Sequence, residues 1–215
     1  MVKTTDHSKL IAAAARNVLG PIGLFQKGRS RTWLDDHGWW ICVVEFQPSS
    51  WSRGSYLNVG CTWLWHVNDC LSFDEGGRVE PFSRFRDESQ CELVANSLAE
   101  QAANEIIRYR KLFPNVHQVC AHYLQRWPDG FWPSFHAAVA CALAGEADQA
   151  RRLFKQVTDS KEDSRDWVIS AQADATQLSL IANDIEHIRH VVTERVQKSR
   201  ELQKLPALAS LDFDR

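Results

Sequence analysis

The 215-residue chain has no C-x-x-C pair, no glycine-rich phosphate loop and no serine set in the strand-to-helix context of a nucleophile elbow. These absences remove the structural zinc modules, the nucleotide-binding loops and the common hydrolase motif as starting points. The six cysteines, at 42, 61, 70, 91, 120 and 141, are scattered without metal-ligand spacing and lie mostly in apolar runs, as reduced, buried thiols do. Net charge is also missing. A formal charge of -2 and a sequence pI near 6.4 give no global field to draw the chain onto nucleic acid, so any phosphate binding must come from a local patch. The N-terminal twenty residues carry Lys3, Asp6, Lys9 and Arg16 around a short apolar run, which fits neither a signal peptide nor a spanning helix; a soluble cytoplasmic protein is expected.

What is present is tryptophan. Six of the nine fall between Arg29 and His66 (Trp33, Trp39, Trp40, Trp51, Trp63, Trp65), on segments with the two-residue rhythm of β-strands. The spacing predicts strands near 29–34, 39–47 and 55–66. A turn at Asp35-Asp36-His37-Gly38 and a polar loop from Pro48 to Gly54, with Trp51 at its tip, separate them. A short fourth strand follows near 78–82. Parity places Trp40, Cys42, Val44 and Phe46 on one face with Leu57, Val59, Cys61, Trp63 and Trp65. The opposite rows run from Trp39, Ile41 and Val43 to Glu45 and Gln47, and through Tyr56, Asn58, Gly60, Thr62, Leu64 and His66. Antiparallel pairing that respects the loop sets Phe46 against Leu57, Cys42 against Cys61, Glu45 beside Asn58 and Gln47 beside Tyr56.

Helices flank this sheet. The first spans about 6–19, capped by Thr5 or Asp6 and ended by Gly20-Pro21. From Asp87 apolar residues step by three or four to Phe113, then from Val116 to Trp127, Trp132 to Leu143 and Glu146 to Val157. In the last pair Ala138, Gly145, Ala150 and Phe154 stand at the offsets of a single tetratricopeptide-like hairpin; one copy is a local packing solution, since a superhelix needs about three units. Charged residues 161–166 form a linker or helix start. Leu178, Ile181, Ile185, Ile188 and Val192 then make a helical seam, and the tail past Leu205 is expected to fray. The fold class is α+β: a small antiparallel meander of three or four strands over residues 1–86, a helical region over 87–205 packed on it and a tail over 206–215, all one compact unit.

Phe25, Lys27, Gly28 and Arg29, then Val44-Glu45-Phe46-Gln47 and Tyr56-Leu57-Asn58-Val59-Gly60, resemble the bacterial domain of unknown function 4304 family. The resemblance covers about a sixth of the chain. It implies an α+β bacterial protein from loci of toxin immunity or phage defence and carries no activity.

Glu45, Gln47, Tyr56 and Asn58 are expected to converge beside the loop of Trp51 and Arg53, with Arg29 and Arg31 flanking them. Hydrogen-bonding groups next to an exposed ring are what a binding surface requires, and the same pattern also describes a half-solvated sheet face. No catalytic set and no metal or cofactor site is assigned. His187 and His190 have metal-ligand spacing but no third ligand, and Asp35, Asp36 and His37 sit far from Glu45. The expected function is recognition of a protein partner by a monomer or weak homo-oligomer, as an immunity or defence accessory. The alternatives are a hydrolase or nuclease built on Glu45, Tyr56, Asn58 and His66, and nucleic-acid binding through Arg29, Arg31, Arg53, Arg84 and Arg86 mixed with Trp33, Trp51, Phe82 and Phe85.

Overall fold

A computed structural model describes residues 4–126, 128–161 and 165–214, with side chains from residue 7 onward. The chain is α+β, as the pattern predicts. Its elements are α1 (Thr4–Leu19), β1 (Phe25–Gln26), β2 (Thr32–Asp36), β3 (Trp40–Pro48), β4 (Gly54–Trp63), β5 (Glu75–Arg84), α2 (Glu88–Leu112), α3 (Val116–Arg126), α4 (Phe131–Leu143), α5 (Ala147–Thr158), α6 (Asp166–Ile181) and α7 (Ile185–Leu202). They divide into two compact units, one of Met1–Thr62 and Leu71–Lys111, the other of Trp63–Cys70 and Leu112–Arg215. The division does not follow the boundary expected at residue 87, because α2 clusters with the sheet.

In the first unit the sheet is an antiparallel meander of five strands in the order β1-β2-β3-β4-β5, not three or four. The extra strand is the two-residue β1, where Phe25 faces Leu34 and Gln26 faces Trp33. Asp35 and Asp36, expected in a turn, complete β2 opposite Cys42 and Ile41. The turn itself shrinks to His37–Trp39, with Asp36 accepting the Gly38 N–H at 2.9 Å. β5 is longer than expected and irregular. Its register against β4 shifts between Ser55 and Leu57, and Pro81 lies in that shift, where an edge strand tolerates a residue without an N–H. β4 ends at Trp63 and not at His66, so Trp65 and His66 lie past the sheet.

The pairings of Trp33 with Val44 and of Asp35 with Cys42 follow the parity, although Trp39, Ile41 and Val43 of the opposite row are buried too. Trp40, Cys42, Val44 and Phe46 are buried with Trp33 and Asp35 of β2 and Leu57, Val59 and Cys61 of β4, and the Cys42 and Cys61 thiols adjoin. All six cysteines are free, and burial holds the Cys61 thiol well above its usual range. α2 lies over this face. Arg110 reaches Asp35, and Tyr109, its phenol pushed up to about 12 by burial, stands where Gly76 leaves room: a side chain at Gly76 (φ +96°) would overlap the Tyr109 hydroxyl.

The second unit is helical around α4, whose residues from Ser134 to Leu143 are all buried. α3, α5 and α7 pack on it, and α6 packs on α5. The α4–α5 hairpin buries Ala138, Ala150 and Phe154 and turns at Gly145 (φ +83°). Trp63 and Trp65 stack with centroids 5.2 Å apart, and their indole N–H groups donate to the Tyr123 hydroxyl and His136 Nδ1 at 3.0 and 3.1 Å. Two expectations fail here. The seam does not run through one helix, because Asp184 caps α7 by accepting the His187 N–H at 3.0 Å, and Ile185 is 39% exposed. The tail is docked, not frayed: Phe213 is buried, its carbonyl accepts the Val116 N–H at 2.9 Å, and Asp214 pairs with Arg189 and His117. The proposed cap by Thr5 or Asp6, Trp127 and most of the charged linker fall outside the described side chains.

Candidate recognition surface

The eight residues singled out from the sequence do not form one surface. They separate into two clusters on opposite faces of the sheet, with Arg29 left alone and exposed in the turn before β2.

Glu45, Gln47, Tyr56 and Asn58 do share one face, as the register predicts. Asn58 Nδ2 donates to Glu45 Oε2 at 2.8 Å and to Gln47 Oε1 at 3.1 Å. A fifth member, Arg78 of β5, was missed. Its Nε donates to Asn58 Oδ1 at 3.3 Å, its Nη2 donates to Gln47 Oε1 at 3.0 Å, and its guanidinium lies 4.1 Å from the Tyr56 ring centroid. Strand parity could have found it, since Arg78 faces Asn58, but the bulge at Pro81 hides the register from sequence. Asn58 is the hub of this cluster, donating twice and accepting once. The cluster's bonds cross from β3 to β4 and β5 and tie the three strands in register. His66, the fourth residue of the enzyme alternative, belongs to the second unit, where its ring meets Trp132 at 4.5 Å.

Arg31 projects from the other face, alternating with Thr32 and in step with Trp33. Its Nη2 donates to Ser8 Oγ of α1. Trp51 and Arg53 stand above it on the β3–β4 loop, whose turn is fixed by Ser49 Oγ accepting the N–H groups of Trp51 and Ser52 at 3.2 and 3.3 Å. Trp51 is 94% exposed, whereas Trp33, Trp39, Trp40, Trp63 and Trp65 are buried. The loop is anchored at its far side by the Phe85 N–H donating to the Arg53 carbonyl at 2.9 Å, and Gly54 lets the Phe82 ring lie against the backbone. Two hollows flank Trp51. One of about 280 Å3 is lined by His7, Arg31, the 48–54 loop and Phe85; the other, about 660 Å3, by Trp51, Ser52, Arg53, Arg84, Phe85 and Arg86. Four arginines therefore surround the one tryptophan of the sheet that faces solvent. Arg31, Arg53, Arg84, Arg86, Trp51 and Phe85, grouped from the sequence as the nucleic-acid alternative, do meet here, and His7 is the member that the sequence reading missed.

Among the described residues no group of three or more His, Cys, Asp or Glu side chains is placed to hold a metal ion, and no helix is long and apolar enough to cross a membrane. His187 and His190 are both exposed, as expected of that helix surface. No protein-family model, curated protein or solved structure matches the chain.

Proposed function

We propose that the chain is a non-catalytic recognition protein of the bacterial cytoplasm that binds a protein partner through the Trp51 loop, an accessory of the toxin-immunity or phage-defence kind that the likeness over Phe25 to Gly60 implies. The observation that carries this reading is Trp51 itself, a large ring held almost fully in solvent on a braced loop and ringed by arginines. Tryptophan and arginine supply a disproportionate share of interface energy, and an exposed indole gains most when a partner desolvates it. The Glu45 cluster supports the loop's sheet and is not the contact surface. The α4–α5 hairpin is read as tetratricopeptide-like packing inside the helical unit and not as a groove.

Affinity capture from the source bacterium tests the reading. Wild-type bait and a Trp51→Ala, Arg53→Gln bait of equal melting temperature are compared. A stoichiometric protein lost from the variant supports it; a stoichiometric protein held equally by both discards the loop as the contact.

Nucleic acid is the second reading, favoured by the arginines around a stackable ring. Salt-dependent retention on heparin or single-stranded DNA that vanishes in the same variant would favour it over a protein partner.

A further inference from the structure

We propose that the smaller hollow beside Trp51 is an anion pocket, with Arg31 at its base and Arg53 at its rim, and that it receives a carboxylate side chain of an acidic segment in the protein partner inferred above. The inference rests on that partner reading and names the chemistry the partner must present.

Arg31 motivates it. The guanidinium is half-buried, Nη2 is used by Ser8, and Nη1 is shut away from solvent with no hydrogen-bond partner among the described residues. Nor does Arg31 or Arg53 form an ion pair among them. Burial without a counter-charge pulls the Arg31 pKa down from the arginine value, the direction opposite to that of Arg110 beside Asp35. A desolvated guanidinium nitrogen left unanswered is unfavourable by about 1–3 kcal/mol, and because Arg31 lines the hollow, a carboxylate seated there meets the guanidinium and supplies the missing counter-charge through a charge-assisted bond. The hollow that Arg31 lines is roughly the volume of a few side chains, bounded by His7, Phe85 and the serine-rich turn. It runs beside the larger one, where Arg84 and Arg86 extend the positive charge past Trp51. A segment carrying several carboxylates and one apolar residue to lie on the indole matches both hollows.

The arrangement favours an acidic peptide over a nucleic acid. Binding a single strand needs a cationic track and successive rings for successive bases. Here the arginines gather about one loop, Trp51 is the single stacking surface beside them because Phe85 is buried, and the chain as a whole is slightly negative.

The test measures fluorescence anisotropy of a labelled oligo-glutamate peptide and of an oligothymidylate of equal length, titrated with the full chain at low salt. Saturable peptide binding is expected, weakened roughly 10-fold or more by Arg53→Gln and by Arg31→Gln, as fits a lost charged hydrogen bond. Arg31→Lys should restore part of it, and Arg151→Gln on α5 should leave it unchanged. Should Arg31→Gln destabilise the chain, Arg53→Gln on the exposed loop still decides. Peptide binding indifferent to both arginines overturns the pocket, as does tighter oligothymidylate binding with the same arginine dependence. Loss of partner capture in Trp51→Ala alongside an indifferent peptide overturns the pocket and leaves the recognition reading standing. Arginine-dependent peptide binding alongside capture unaffected by Trp51→Ala removes the loop reading while supporting the pocket.

Discussion

Removing Arg110 should destabilise the first unit more than neutralising the carboxylate it holds, and the difference follows from where each charge sits. Asp35 Oδ1 and Oδ2 receive the Arg110 fork at 2.6 and 2.8 Å, His37 Nε2 lies 2.7 Å from Oδ2, and Arg110 Nη2 also donates to the Ile22 carbonyl at 2.7 Å. The Asp35 side chain is 6% exposed and that of Arg110 33%. Arg110→Ala strands a buried carboxylate with only His37 for company, which costs about 3–5 kcal/mol; Asp35→Asn leaves a guanidinium that water can reach and costs about 1–2 kcal/mol. The pH dependence gives a second handle. Burial alone would raise the Asp35 pKa, but the hydrogen bonds and charges of His37 and Arg110 outweigh it and hold the carboxyl below its ordinary range. A folded pKa below the unfolded one means stability present above roughly pH 4 and lost as pH falls through the folded value. Without Arg110 the depression shrinks, so the acid limb of the stability curve becomes shallower and the variant's deficit narrows toward pH 3. Urea unfolding at pH 7, 5 and 3 measures all of this. A larger loss in Asp35→Asn than in Arg110→Ala, or a deficit independent of pH, would refute the reasoning.

Other outcomes are as specific. Trp51→Ala should weaken partner binding by about 2 kcal/mol or more, near 30-fold, while moving folding stability by less than about 0.5 kcal/mol, read by calorimetric titration and thermal melting. Asn58→Ala, which removes a bond to each of Glu45, Gln47 and Arg78 and leaves only the Arg78–Gln47 bond, should cost about 2 kcal/mol in urea without affecting that binding. Phe213→Ala should cost about 3 kcal/mol and raise proteolysis of the last residues, because the ring is 4% exposed and the tail is pinned through it. The Cys120 and Cys141 sulfurs lie 2.6 Å apart between α3 and α4, and the hydrogen bond from Cys141 holds the Cys120 thiol below its usual range. Oxidised glutathione should convert this pair to a disulfide, releasing two reduced glutathiones per chain, and peptide mapping without reductant should find that link absent in Cys141→Ser.

Most of the fold was legible because burial imposes periodicity. Trp40, Cys42, Val44 and Phe46 had to share a face, and once the 48–54 loop set the reach, Glu45 had to meet Asn58. The illegible parts are those where local chemistry overrides the period. Asp35 and Asp36 look like turn residues, yet a buried aspartate is acceptable in β2 because Arg110, 75 residues later, neutralises it. The apolar steps from Leu178 to Val192 carry across the turn between α6 and α7, where Asp184 caps a new helix, and periodicity is blind to a cap. The tail carries too few apolar residues to signal docking: Phe213 supplies the buried ring, and Asp214, paired with Arg189 and His117, supplies ion pairs that periodicity does not register. At the site, parity separated Arg31 from Glu45 in principle, since Arg31 alternates with Thr32, the residue paired with Glu45. Sequence proximity to the Trp51 loop drew them together instead.

That separation decides which cluster carries function. Polar side chains on a sheet invite a binding interpretation, but Glu45, Gln47, Asn58 and Arg78 bond one another across three strands, and a ligand that took those partners would have to break bonds that hold the register. Around Trp51 the situation is reversed: an indole remains in water, a buried guanidinium nitrogen has no acceptor among the described residues, and three further arginines stand within the same hollows without a carboxylate described among their lining residues. Folding gains nothing from this arrangement, since burying the ring or pairing the arginine internally would both lower the free energy of the isolated chain. The loop backbone that carries the ring is braced by Ser49 and by Phe85. A feature that is unfavourable in the free protein and conformationally held is made favourable by association, and the more of its exposed area and unmatched charge a partner satisfies, the larger the share of binding energy that the Trp51 loop supplies.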